Sequence, residues 1–230
     1  MKPKETLLNS LQSDLTNDED NRLEHNPESY ETPLRADAFE MKDSLKIDLI
    51  EKHFREIMNI LGLDLNNDSL NGTPKRVAKM YVREIFSGLN PKNKPKIKLF
   101  GNNYNYGEML VEKDITFYSS CEHHFVPIIG KAHVGYFSGG KIIGLSKINR
   151  IVQYYARRPQ VQERLSVQIT MELMNSLETK DVGVVIDATH LCVSSRGVGD
   201  TNSTTGTAHF NGKFRDKEVK KEFLDFINTN

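Results

Sequence analysis

The 230-residue chain carries 31 Lys+Arg and 31 Asp+Glu, so no net charge draws it to a polyanion and a nucleic-acid partner is not expected. Two cysteines are too few for a disulfide framework, and no apolar run is long enough to span a bilayer or to form the core of a signal peptide in the N-terminal MKPKETLLNSLQSDLTNDED. A soluble, cytoplasmic protein with one sizeable core and a smaller appended element is the expectation, with no membrane partner.

Residues 1–42 are polar and acid-rich, carry Pro27 and Pro33 without any sustained period, and read as a flexible arm. From Ser44, Ile47, Ile50, Phe54, Ile57, Met58 and Leu61 recur at helical spacing, and Gly62 follows as a stop. A second helix is predicted from Thr73-Pro74, a cap followed by proline at the first helical position, to near Gly88. Asn90 to Gly107, rich in Lys, Asn, Pro and Gly, reads as the connection from this helical region (43–108) to the main domain (109–230).

There the period switches to that of strands, over 109–119 and 128–137, with Ser138-Gly139-Gly140 as a turn before a short strand KIIGL. Ser146 is expected to cap a helix with Ile148, Ile151, Val152 and Tyr155 on its inner face, and Pro159 separates it from a longer helix to about Leu177. Strands return at 182–188, extended chain continues over 189–195, and a Thr-rich strand reaches a turn at Asn211-Gly212. A closing helix places Val219, Phe223, Phe226 and Ile227 on one face. The order strand, strand, helix, helix, strand, strand predicts an α+β fold, a four-stranded antiparallel sheet with two helices on one face (ββααββ), preceded by an N-terminal helical pair.

SSCEHHFVP sets Cys121, His123 and His124 within four positions at the end of a predicted strand, denser than a core requires. Thiolate with imidazole two or three residues on suits zinc. About 70 residues later comes ATHLCV, where an extended chain would project His190 and Cys192 to the same face and bring both to one site. Two thiolates and three imidazoles exceed a catalytic zinc's usual three protein ligands, and spacing does not choose among them or between a catalytic and a closed structural site. Glu122 reads as a solvated or hydrogen-bonded carboxylate and Phe125 as core; His133 reads as a surface or interface histidine, and His25, His53 and His209 have no partner motif.

Ser146-Lys147-Ile148-Asn149-Arg150 puts two cations at a helix N-terminus, where free N–H groups favour an anion, although a solvated cationic face has the same appearance. Glu163 could accept from a guanine N–H and exocyclic amine with Gln162 adding an amide contact, or simply be a favourable first-turn acid. Arg196 is a candidate anion contact beside Cys192, against an ordinary edge-strand arginine.

CEHHFVP, GLSKINRIVQYYARRPQVQERL, DATHLCVSSRGV and TPKRVAKMYVREIFSGL, which appear in family order and together span residues 73 to 198, resemble GTP cyclohydrolase I of the bacterial type; weaker similarity runs from Glu31 to the C-terminus. The resemblance implies the tunnelling fold, zinc on Cys121, His124 and Cys192, and His123 and His190 free for proton transfer. It implies that Gln162 and Glu163 contact guanine, that Lys147, Arg150, Arg196 and Arg76 meet the triphosphate, and that Ser146 lies near the ribose. The activity it implies is zinc-dependent opening of the guanine imidazole ring of GTP at C8, release of formate and rearrangement to 7,8-dihydroneopterin triphosphate, on the way to tetrahydrofolate or other pterins. A toroidal homodecamer with active sites between subunits is implied by the resemblance alone. The rival readings are another tunnelling-fold enzyme acting on a pterin or deazapurine, and a non-catalytic zinc-stabilised binding module.

Overall fold

A computed structural model of the chain describes residues 30–229. Most of the expected arm, and His25 with it, lies outside the described residues. Of its remainder, Tyr30 accepts through its carbonyl from Gln168 Nε2 at 2.8 Å, and Thr32 Oγ1 accepts from Arg158 Nη1 at 3.1 Å.

Helix α1, Asp43–Ile60, buries Ile47 and Met58 of the predicted stripe, while Ile57, Ile60 and Leu61 remain exposed. Helix α2, Thr73–Met80, starts one residue earlier than expected: Gly72 is the cap, and Thr73 Oγ1 instead accepts from Arg76 Nη2 at 2.8 Å. A π-helical turn, Tyr81–Ile85, and a 3₁₀ turn, Ser87–Leu89, continue the chain. Gly88 lies so close to the next helix that a Cβ there would stand 2.0 Å from the Tyr154 carbonyl oxygen, and its N–H donates to the Arg157 carbonyl at 2.9 Å. Only glycine permits that approach.

The segment expected to be mere connection contains a strand, β1 (Leu99–Gly101), which pairs antiparallel with β4 (Lys141–Ile143), the predicted KIIGL strand. The main sheet is built on β2 (Met109–Cys121), β3 (Pro127–Phe137), β6 (Val182–His190) and β7 (Thr205–Phe210), adjacent in that order and antiparallel throughout. A two-residue strand, β5 (Pro159–Gln160), adds in parallel to the free edge of β2. Between β4 and β6 run α3 (Leu145–Ala156) and α4 (Gln162–Leu177). Gly144, not Ser146, occupies the cap of α3, so Ser146 falls inside its first turn.

Alternation explains the core. Ile115, Phe117, Ala132, Val134, Tyr136, Val184 and Ile186 turn one way and meet Ile148, Ile151, Val152, Leu165, Ile169 and Leu173 from α3 and α4. On the opposite face, the last helix α6 (Lys217–Asn228) and the 3₁₀ turn before it pack Phe214 and Phe223 against Met109 and Phe137. Phe223 is buried with Val219 and Ile227 beside it, whereas Phe226, expected on the same face, is exposed.

His133 differs from expectation in being buried. A bulge between Glu112 and Ile115 puts Asp114 at φ +58°, and its N–H donates to His133 Nδ1 at 3.2 Å, turning the ring inward. Burial lowers the His133 pKa, with the Asp114 carboxylate opposing that shift. No helix among the described residues is long and apolar enough to cross a membrane.

Candidate metal centre and active site

The CEHHFVP segment is the hairpin loop between β2 and β3. It closes where the Cys121 N–H donates to the Val126 carbonyl at 2.9 Å and the Phe125 N–H to the Cys121 carbonyl at 2.8 Å. Phe125 adopts φ +56° to complete this tight reversal. Its ring is half-exposed rather than core, and packs edge-on at 5.2 Å on Phe86, which joins the N-terminal helical unit to the loop. The loop therefore lifts His123 and His124 beyond the end of the sheet while Cys121, still in β2, stays buried.

Strand register supplies the second cluster. Ile128 at the start of β3 pairs with His190 at the end of β6, so the chain leaves β6 beside the hairpin loop. Contrary to the extended reading of 189–195, it enters a single helical turn, α5 (Leu191–Ser194). The serines account for this: Ser194 Oγ donates to the His190 carbonyl at 3.3 Å and Ser195 Oγ to the Leu191 carbonyl at 2.6 Å, offering a local alternative to strand pairing. The turn, not strand alternation, brings Cys192 round to the hairpin.

The ligand atoms of Cys121, His124 and Cys192 all lie within 4.8 Å of one another, an arrangement that could hold a metal ion. Two sulfurs and an imidazole nitrogen form a soft donor set, the kind that suits zinc. Burial, with the Cys121 thiol alongside, pushes the Cys192 thiol up, against a backbone hydrogen bond and the Arg196 guanidinium, which act the other way. A divalent cation between the sulfurs would reverse that balance. Arg196 Nη1 lies 2.8 Å from His124 Nε2. A guanidinium can only donate, so in this contact Arg196 donates to the imidazole nitrogen.

Around this cluster stand the remaining candidates. His123 is exposed, with Nδ1 at 3.8 Å from Cys121 Sγ and Nε2 at 4.0 Å from Glu122 Oε1. His190 Nε2 lies 2.7 Å from Gln162 Oε1, and burial lowers the His190 pKa while the Glu163 carboxylate raises it. Glu163 is itself exposed at the first turn of α4. Gln162, by contrast, is buried and its amide nitrogen donates to the Ile186 carbonyl at 3.1 Å and to the Thr205 carbonyl at 2.8 Å. One further element of the site has no signal in the sequence: Glu122 and Arg164 form a two-pronged ion pair at 2.5 and 3.2 Å, largely buried, which ties the ligand loop to α4. Its partners are 42 residues apart, and no local spacing signals them.

Ser146, Lys147 and Arg150 are not brought to the cluster. Near the start of α3, Asn149 Nδ2 donates to Glu112 Oε1 at 2.9 Å; further on, Gln153 Nε2 donates to the Thr116 carbonyl at 2.6 Å. Beyond its end, the Arg158 carbonyl accepts from Ser119 Oγ at 3.5 Å. The helix thus runs alongside β2 in the same direction, and with 1.5 Å per residue its first turn lies on the order of 20 Å from Cys121. Arg76 is occupied within the N-terminal unit, donating to the Ser69 carbonyl at 3.0 Å and to Thr73.

Residues 50–228 match the family model of GTP cyclohydrolase I. The chain belongs to the GTP cyclohydrolase I family. Among its relatives, a protein named GTP cyclohydrolase 1 from Flavobacterium johnsoniae is 60% identical over 203 residues, covering 88% of this chain and 91% of the relative. One of the same name from Aeromonas salmonicida is 53% identical, covering 86% of this chain and 90% of the relative. Another from Vibrio parahaemolyticus is 54% identical, covering 84% and 89%. The chain is accordingly an enzyme, a hydrolase, and its ββααββ order is the tunnelling fold of the GTP cyclohydrolase I family.

Proposed function

We propose that the chain is a zinc-dependent GTP cyclohydrolase that opens the guanine imidazole ring of GTP at C8, releases formate and yields 7,8-dihydroneopterin triphosphate. The observation that carries this reading is the convergence of Cys121, His124 and Cys192, their ligand atoms within 4.8 Å, beside two histidines not needed as ligands. These three side chains would hold the metal. Zinc bound there supplies Lewis-acid activation of water, lowering its pKa toward about 7.

The chain's own groups do the rest. Glu163, exposed at the start of α4, would accept from guanine N1–H and the exocyclic amine. His190 delivers a proton to N7, which makes C8 more electrophilic, and His123 assists opening of the ribose. Arg196 offers a cation at the cluster itself. Ser146, Lys147 and Arg150, far along the sheet in the same chain, fit the ribose and triphosphate when supplied by a second subunit, and so does Arg76. That separation supports a homo-oligomer with sites between subunits, which in this family is a toroidal homodecamer. The two free cysteines suit a reducing compartment, and we place the enzyme in the cytoplasm.

Replacing Cys121 with Ser is expected to remove both the bound zinc and formate release, read by metal analysis and a formate assay on the same sample. Full turnover by a zinc-free Cys121→Ser protein would overturn the assignment.

A further inference from the structure

Gln162 opens α4, the helix that also carries Glu163, yet its side chain is 2% exposed and turned into the protein. Its amide nitrogen has two hydrogens, and both are taken: one by the Ile186 carbonyl of β6 at 3.1 Å, the other by the Thr205 carbonyl at the start of β7 at 2.8 Å. A flipped amide would set its oxygen against two carbonyl oxygens, so the orientation is dictated. Oε1 is left facing His190 Nε2 at 2.7 Å, and an amide oxygen can only accept. His190 therefore carries its proton on Nε2. Among the described residues no hydrogen bond reaches its Nδ1.

We infer that Gln162 is a positioning residue for His190 rather than a contact to the purine: anchored by two strand carbonyls, it holds the ring so that Nδ1 is the nitrogen presented to the substrate. The inference rests on the function proposed above for its meaning, but not for its geometry. Ile186 and Thr205 belong to adjacent strands, so the same amide also fixes the first turn of α4 to the sheet end where β6 delivers Cys192. Since Nε2 is committed to Gln162, proton exchange with the purine runs through Nδ1 alone. The resting ring, bare at Nδ1, takes up a proton from solvent there to become the imidazolium, and returns to the neutral Nε2–H form when that proton passes from Nδ1 to N7.

Two measurements test this on the zinc-loaded enzyme. In magic-angle-spinning spectra of 15N-histidine-labelled protein, with His190 assigned by its loss in His190→Asn, the ring should show a protonated Nε2 and a bare Nδ1. In Gln162→Leu the two tautomers should mix. In turnover, Gln162→Leu should lower kcat about 10- to 100-fold, the scale of a misplaced proton-transfer group, with KM for GTP within about threefold of the parent. Gln162→Glu, which keeps an acceptor toward His190, should recover part of kcat. A wild-type ring protonated on Nδ1 would overturn the inference without any variant being made. So would a raised KM with kcat unchanged in Gln162→Leu, the signature of a substrate contact. If the wild-type protein releases no formate from GTP, the proposed function fails, and the tautomer measurement still decides the role of Gln162.

Discussion

Glu122 and Arg164 show what a single pair can set at the edge of a site. Their side chains are 17% and 12% exposed, and the two contacts at 2.5 and 3.2 Å lash the residue between Cys121 and His123 to α4. Arg164→Met leaves the carboxylate without its partner, and we expect a loss of about 1–3 kcal/mol, set by a charged hydrogen-bonded pair that retains some solvent. Urea unfolding measures it, and zinc affinity should weaken in the same variant because the ligand loop loses its tether. At this scale the two clusters that make the candidate metal centre were readable from the sequence. Cys121, His123 and His124 announce themselves by local density, and Cys192 with His190 by chemistry. The inward turn of Gln162 and the Glu122–Arg164 pair were not readable, because each depends on partners brought close only by strand register and helix packing.

The elements were legible where periodicity is strong and less so where side chains compete with the backbone. The two main helices and strands β2, β3 and β6 follow their apolar patterns, whereas β7 was marked only by its threonines. The helical turn at Leu191–Ser194 replaces an expected strand because serine hydroxyls bond back to nearby carbonyls. His133 was expected at a surface because alternation puts it on the face opposite Val134, but that face is not free. The bulge at Asp114 closes over His133, and further along it Gly135 and Gly183 admit Phe214 and Phe223. A Cβ on Gly183 would meet Phe214 Cδ1 at 2.5 Å, so Gly183→Ala should cost about 1–3 kcal/mol by overpacking, read as a shifted urea midpoint. Burial lowers the pKa of His133 and of His209. The unfolded chain then takes up protons near the ordinary value of 6.5 before the folded one does. Stability is therefore level above that pH and falls as pH drops from it toward the lowered folded value. Thermal midpoints at about pH 7.5 and about pH 5 should show the fall, and His133→Gln should lessen it.

At the scale of the whole molecule, α3 sets the constraint. It carries Ser146, Lys147 and Arg150 toward the far end of β2, on the order of 20 Å from Cys121, so one chain does not assemble every group proposed to hold GTP. Cys121→Ser and Arg150→Glu chains should each be inactive alone. Co-assembled in equal amounts they should recover roughly a quarter of the wild-type rate, because random mixing leaves a quarter of the interfaces with both halves intact. A site complete within one chain would show no recovery. Nothing in composition or periodicity could have indicated this division; it follows from which strand residues the helix meets.

The most direct measurement is incubation of the purified, zinc-loaded chain with GTP, following formate together with a pterin that becomes fluorescent on oxidation, before and after chelation. The account predicts both products in equal amounts, their loss on chelation and their return with zinc. Absence of formate from zinc-loaded, folded protein would contradict it and leave Cys121, His124 and Cys192 as a structural metal site in a binding module.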